Sequence, residues 1–338
     1  MYVSGFPRSS GTVLIVERDG SVTALVPALD YWRAVDNIKL EKVTVVPYAT
    51  YELPDIELKL VQPPHVYVPE VLKGHSIRKV GVDNPYSRLV SEVEKTLGSK
   101  VLDLSEEIAD ARAIKHEEEL ELMRRALHIT ERSVEKVLKD LKPGVSEKAV
   151  AALVEYYMRS GGADGLAFET IVAFGPDAAY PHATVTDRTL REKDVVVMDL
   201  GAQVSSYSSD LTRTALVGNV GEVRKVAEVV SEAVAVSIDS VKDGVPAEEV
   251  DGRARDVIRR SGYGKYFVHS LGHGVGIEVH EKPRIAQGSK DVLRDGMVVT
   301  IEPGVYIPGR FGVRIENMVV VRKYKAEVLN SLATIIEV

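Results

Sequence analysis

Gly296-Met-Val-Val-Thr-Ile-Glu302 is an apolar run that ends in a carboxylate, and earlier in the chain Asp194-Val-Val-Val-Met-Asp199 has the same form. In each half a second carboxylate follows, Asp210 in Ser208-Ser-Asp-Leu-Thr-Arg-Thr and Glu316 in Val313-Arg-Ile-Glu. The likeness extends upstream. Lys142-Pro-Gly-Val opens a helical stretch ending at Gly161-Gly162, and Lys242-Asp-Gly-Val opens another ending at Ser261-Gly262, with Val150 and Val250 in register. Phe174-Gly175 leads to His182 in the first half, and His273-Gly274 leads to His280 in the second. The shared order of helix, histidine, strand-carboxylate and carboxylate predicts a pseudo-symmetric domain, both halves contributing to one central site.

The carboxylates make that site chemical. Burying a carboxylate without a partner is expensive. Ion pairing is the plain alternative, with Arg213 and Arg314 as available partners. It serves any one carboxylate but not four brought together by symmetry, whose charge two divalent metals would balance. Imidazoles are at hand in His269-Ser-Leu-Gly-His273-Gly-Val-Gly-Ile-Glu-Val-His280-Glu. Imidazole is the commonest neutral metal ligand. The chain has no cysteine, so disulfides and thiolate ligands are excluded and any metal is held by oxygen and nitrogen. That favours Mn, Co, Fe or Zn at a mixed histidine/carboxylate site over a structural zinc site.

Composition bounds the rest. The chain has 338 residues, 45% of them hydrophobic, and a net charge of −7 without basic stripes. Length favours two domains. Nothing suggests nucleic acid, and no apolar run reaches membrane-spanning length, so a cytoplasmic protein is expected. Residues 1–111 read as a smaller α/β domain. Thr12-Val-Leu-Ile-Val and Val22-Thr-Ala-Leu-Val form a hairpin about Asp19-Gly20; Val43-Thr-Val-Val, Val66-Tyr-Val and Arg78-Lys-Val-Gly-Val are further strands; Ser87 to Leu97 is a helix ended by Gly98. His65, His75 and His116 are surface or structural residues. Leu120, Met123, Leu127, Thr130, Val134, Val137 and Leu141 recur at helical spacing, ended by Pro143-Gly144, with the Glu117–Glu121 run on a solvated face. The domain junction falls near Arg112, giving a second domain of residues 112–338.

These motifs resemble the pita-bread (M24) metallopeptidases, the family of methionine aminopeptidase, aminopeptidase P and prolidase. The matching residues are Pro181-His182, Met198-Asp199-Leu-Gly-Ala, Ser209-Asp210-Leu-Thr-Arg-Thr, Gly272-His273-Gly-Val-Gly, Val279-His280-Glu, Ile301-Glu302-Pro-Gly-Val-Tyr and Arg314-Ile-Glu316. The resemblance implies an α/β (α+β) chain: a pita-bread catalytic domain with a pseudo-twofold repeat, preceded by a creatinase-like N-terminal domain. It implies two divalent metal ions held by Asp199, Asp210, His273, Glu302 and Glu316. Asp210 and Glu316 bridge them, and Glu302 also shuttles a proton. His182 and His280 face the substrate, Arg284 anchors its carboxylate, and Thr300 and Arg314 support the ligands. The implied activity is hydrolysis of Xaa-Pro dipeptides by a metal-bridging hydroxide, most like prolidase, with aminopeptidase P-type action on longer peptides as the alternative. The implied partner is a small peptide with proline after the cut bond, and the implied assembly is a homodimer. Creatinase-like amidinohydrolases and histone-binding relatives lack the ligand set, which is complete here. Relatives begin with a further helix and strand before the segment matching Met1-Tyr-Val-Ser-Gly5, so the N-terminal domain is trimmed or its start lies upstream.

Overall fold

The structure, a computed structural model, describes Val3, Phe6 and residues 10–53, 57–75, 77–218 and 220–338. Met1-Tyr2 and Ser4-Gly5, on which the N-terminal comparison turns, lie outside the described residues. The chain divides into two compact units, Met1–Ala111 and Arg112–Val338.

In the first unit, strands Val13–Val16 and Val22–Pro27 pair antiparallel, and Val43–Tyr48 adds in parallel to the second. The turn between the first two closes with the Gly20 N–H donating to the Glu17 carbonyl at 3.0 Å. Ala24 and Val26 face Phe6 and Ala34, whereas Leu25, on the opposite side of the strand, meets Val68, Leu72 and Val93. The middle strand is therefore covered on both faces. Ser87 caps the helix Arg88–Leu97 by accepting from the Val90 N–H, and Gly98 ends it at φ 65°. Two expected strands differ. Val66-Tyr-Val lies inside the helix Pro64–Gly74, which buries Pro64, Val68 and Leu72 at four-residue intervals. Pro64 opens the helix, where its fixed φ suits the first turn, and that outweighs the β-branched valines. The strand read at Arg78–Val82 shrinks to Gly81–Val82, parallel to Leu102–Asp103.

In the second unit, the helix Glu117–Val137 buries Leu120, Met123, Leu127, Thr130, Val134 and Val137 as the spacing predicts. Glu119 departs from the solvated face: it accepts from the His116 N–H at 2.9 Å and from the Tyr207 hydroxyl at 2.6 Å. The repeat is visible in hydrogen bonds. Gly144 N–H donates to Leu190 O and Leu190 N–H to Val145 O; Gly244 N–H donates to Leu293 O and Leu293 N–H to Val245 O. Helices Glu147–Ser160 and Ala247–Arg260 follow these two turns.

Each half then builds a sheet around three antiparallel strands, the first also taking Ile335–Glu337 in parallel beside Leu211–Leu216. Ile171–Phe174, Val195–Leu200 and Leu211–Leu216 are neighbours in one; Gly272–Gly274, Val298–Ile301 and Asn317–Val320 are neighbours in the other. Val196, Met198, Val298 and Met318 pack in the core with the helix Glu117–Val137, while Val195, Val197, Val299 and Ile301 pack with the helix Gly221–Ser240. Both faces of both sheets are thus buried between helix pairs. That is why these antiparallel strands read as unbroken apolar runs rather than alternating ones. Among the described residues no helix is long and apolar enough to cross a membrane.

Candidate active site

The carboxylates sit where the central strands end. Asp199 is the penultimate residue of Val195–Leu200, and Asp210 directly precedes Leu211–Leu216. Glu302 directly follows Val298–Ile301, and Glu316 sits between Phe311–Arg314 and Asn317–Val320. His273 is the middle residue of Gly272–Gly274. Its neighbour must be glycine, because a Cβ on Gly272 would collide with the backbone carbonyl of Thr300. All five side chains line one cleft of about 450 Å³, together with His182, His269, His280, Arg284 and Arg314. Thr300 lies behind them, its hydroxyl accepting from the His273 N–H at 3.1 Å.

At the centre, Asp210, His273 and Glu316 each offer a ligand atom, all within 4.8 Å of one another. His273 Nδ1 donates to the Gly274 carbonyl at 3.1 Å, which turns Nε2 toward Glu302 at 3.3 Å and Asp210 at 3.6 Å. The buried Arg314 is the hub on the other side. Its Nη2 meets Asp199 at 2.5 Å, and its Nη1 donates to the Tyr306 hydroxyl at 2.8 Å and the Pro181 carbonyl at 3.2 Å. Its Nε donates to the Thr212 hydroxyl at 3.1 Å, which fixes the direction of that hydroxyl. Thr212 gives its own hydrogen to Glu316 at 2.9 Å. Among the described residues, pairing with arginine therefore answers for one carboxylate, Asp199. Arg213 turns away and bonds the carbonyls of Thr212, Glu316 and Leu332 and the Asn317 side chain.

The remaining carboxylates have only the His273 imidazole beside them among the described cations. Burial, then Glu316 and Asp199, pushes the Asp210 carboxyl far above the usual range. Burial, then Glu302 and Asp199, pushes Glu316 up to about 8. Burial would depress His273, but its hydrogen bond to Glu302 and that residue's charge outweigh it and raise the imidazole to about 9. Glu302 is buried too, yet His273 holds it below its ordinary value. Asp199 Oδ1 is buried with no hydrogen-bond partner among the described residues. Crowded carboxylates, one imidazole nitrogen aimed at them and an orphaned oxygen are a donor set that fits hard or borderline divalent cations.

The same shifts set a pH dependence. A carboxyl raised from 4.5 to about 8 keeps its proton in the fold after the unfolded chain has lost it, so stability declines as pH rises through that window. His273 has the same sign: its contribution is full below 6.5 and fades as pH climbs through about 9. A bound divalent ion would take the place of these protons. In chelator, the melting temperature is expected to fall between pH 5 and pH 8, and adding metal should restore it more at pH 8 than at pH 5. A chelated protein equally stable at both, with the same metal-induced rise, would show that these groups do not titrate as their surroundings dictate.

Sequence reading gave no role to His269 or Tyr306, although both lay in quoted motifs. His269 Nδ1 donates to the Ser270 carbonyl at 2.8 Å, and Nε2 lies 3.0 Å from the Tyr306 hydroxyl. Burial pushes the Tyr306 phenol up to about 12 and depresses His269. The phenol therefore keeps its hydrogen and donates it to a neutral imidazole. The signal available was the tyrosine following Glu302-Pro-Gly-Val. Its partnership with Arg314 and His269 spans a strand turn that spacing does not reveal.

Residues 121–323 match metallopeptidase family M24, and residues 1–114 match the creatinase/prolidase N-terminal domain. The chain belongs to metallopeptidase family M24, with the two-domain architecture of a creatinase-type N-terminal domain and a pita-bread domain. It is similar to the Xaa-Pro dipeptidase of Pyrococcus furiosus, 39% identical over 327 residues that span 96% of this chain and 89% of that one. The solved structure of the Pyrococcus furiosus prolidase superposes with a TM-score of 0.83 at 36% identity, covering 98% of this chain and 93% of that one. An X-Pro aminopeptidase from Thermotoga maritima superposes with a TM-score of 0.88 at 32% identity, covering 100% and 93%.

Proposed function

We propose that this chain is an Xaa-Pro dipeptidase that works with two divalent metal ions. Asp210 and Glu316 would hold both ions, His273 and Glu302 one, and Asp199 the other. When bound, the ions supply Lewis acidity toward the scissile carbonyl and make water acidic enough to yield hydroxide near neutral pH. Glu302, its carboxylate 3.3 Å from His273 Nε2, would take a proton from the attacking water and pass it to the departing amine. His280 and His182 donate hydrogen bonds to the substrate carbonyl or amide as charge develops on it. Arg314 fixes Asp199 directly and Glu316 through Thr212; Thr300 fixes His273 through its main chain. Manganese or cobalt suits this oxygen-rich, cysteine-free donor set, with zinc or iron as alternatives. A homodimer in the cytoplasm completes the proposal, on the family resemblance and the composition.

The observation that carries the dipeptidase reading is Arg284. Its side chain is exposed, lines the same acidic cleft and forms no salt bridge to a described residue. A dipeptide brings its C-terminal carboxylate one residue beyond the cut, inside the site, where a guanidinium matches it in bidentate fashion. A longer peptide has an amide there. The second reading, an aminopeptidase P-type enzyme, draws on the likeness to the Thermotoga maritima structure.

Arg284→Ala separates the two. A charge-assisted hydrogen bond contributes roughly 1.5–3 kcal/mol, so kcat/KM for Xaa-Pro dipeptides should fall about tenfold to a hundredfold. Xaa-Pro-Xaa tripeptides should be nearly unaffected. Equal losses on both substrates, or no loss on either, would put the aminopeptidase reading first.

A further inference from the structure

His280 makes no ring hydrogen bond to a described residue and touches the site through its edge contact with His273, the ring centroids 4.3 Å apart. Its place is set by its main chain, and the next residue holds that chain. The Glu281 carboxylate is buried, its side chain 5% exposed. Its Oε1 accepts from Arg112 Nη2 at 2.5 Å and from the Glu278 N–H at 3.0 Å; its Oε2 accepts from Lys115 Nζ at 3.2 Å. Arg112 also reaches Glu278 at 3.3 Å, so one guanidinium grips the loop at two points.

The clamp has a fixed base and a shaped seat. Lys115 is tied down by its own N–H to the Gly296 carbonyl at 2.9 Å and by Nζ to the Ala113 carbonyl at 3.2 Å. A Cβ on Gly276 would lie 2.5 Å from Glu281 Oε2, so any larger residue there would displace the carboxylate from its present seat. The Gly276 N–H closes the loop on the Glu278 carbonyl at 3.0 Å. A buried carboxylate held by two cations is a costly arrangement that hydrophobic packing would replace without loss of stability. Here it fixes a loop geometry.

We propose that Glu281, clamped by Arg112 and Lys115, is the positioning residue for His280. The proposal rests on the role given to His280 above. A displacement of about 1 Å in a reacting group costs on the order of a hundredfold, so releasing the clamp should lower kcat far more than it raises KM.

The test is a double-mutant cycle with Glu281→Gln and His280→Ala, reading kcat, KM and metal per chain on an Xaa-Pro dipeptide. Glu281→Gln alone should lower kcat about tenfold to a hundredfold with both metals retained. In the His280→Ala background the same change should cost less than about twofold. Additive losses, or metal lost in Glu281→Gln, would overturn the proposal, because Glu281 would then act on the substrate or on the ligand set. Full turnover in His280→Ala alone would remove the role of His280 itself, a failure distinct from additivity. Should Glu281→Gln not fold, Lys115→Met removes one of the two cations on the same carboxylate and carries the same cycle, with the same supporting and overturning results.

Discussion

Asp210→Ala and Glu316→Ala are expected to purify without either metal ion and to lose turnover by about a thousandfold or more, the rate equivalent of several kcal/mol of Lewis-acid stabilisation. The two residues stand at the centre of the cluster, within 4.8 Å of each other's and His273's ligand atoms. Both are driven toward the protonated state by burial and by neighbouring carboxylates. On the proposed assignment, removing either would delete a donor common to both ions and leave the remaining carboxylates repelling one another. Asp199 differs, because Arg314 already balances it at 2.5 Å. Asp199→Ala should keep one ion, since Asp210, His273, Glu302 and Glu316 remain. Elemental analysis of the three purified variants checks this ranking. Equal loss of both metals in all three would show that Asp210 and Glu316 do not bridge.

His280→Ala should behave in the opposite way, retaining both metals while turnover falls by about 10²–10³, the usual cost of one preorganised donor. His280 is near enough to His273 for their rings to touch, yet it belongs to no group of converging ligand atoms among the described residues. Burial, then the charge of His273, depresses its basicity, which suits the neutral donor role proposed for it. A steady-state assay beside metal analysis is sufficient. A metal-free His280→Ala would reassign the residue as a ligand.

The architecture was legible wherever local pattern and global fold agreed. The two apolar runs ending in Asp199 and Glu302 are central strands because both sheet faces are covered by helices. The turns at Gly144 and Gly244 announced the repeat that their hydrogen bonds display. Val66-Tyr-Val misled because three residues do not distinguish a buried strand from one turn of a buried helix. The Pro63-Pro64 start was the stronger cue. At the site, residues tied to a motif were legible, whereas residues tied through space were not. Arg112 and Lys115 meet Glu281 across 169 and 166 positions of sequence, and no spacing rule links them. Thr212 was visible in its motif, but its part in orienting Glu316 depends on Arg314, 102 positions away.

The most direct measurement is hydrolysis by the purified chain, loaded with manganese or cobalt, of a small panel: Ala-Pro, Met-Pro, a Xaa-Pro-Xaa tripeptide and Met-Ala-Ser. The Xaa-Pro dipeptides should have the highest kcat/KM, the tripeptide should trail them, Met-Ala-Ser should stay intact, and a chelator should abolish all cleavage. Cleavage of Met-Ala-Ser with both Xaa-Pro dipeptides untouched, or full activity in chelator, would contradict a metal-dependent Xaa-Pro dipeptidase.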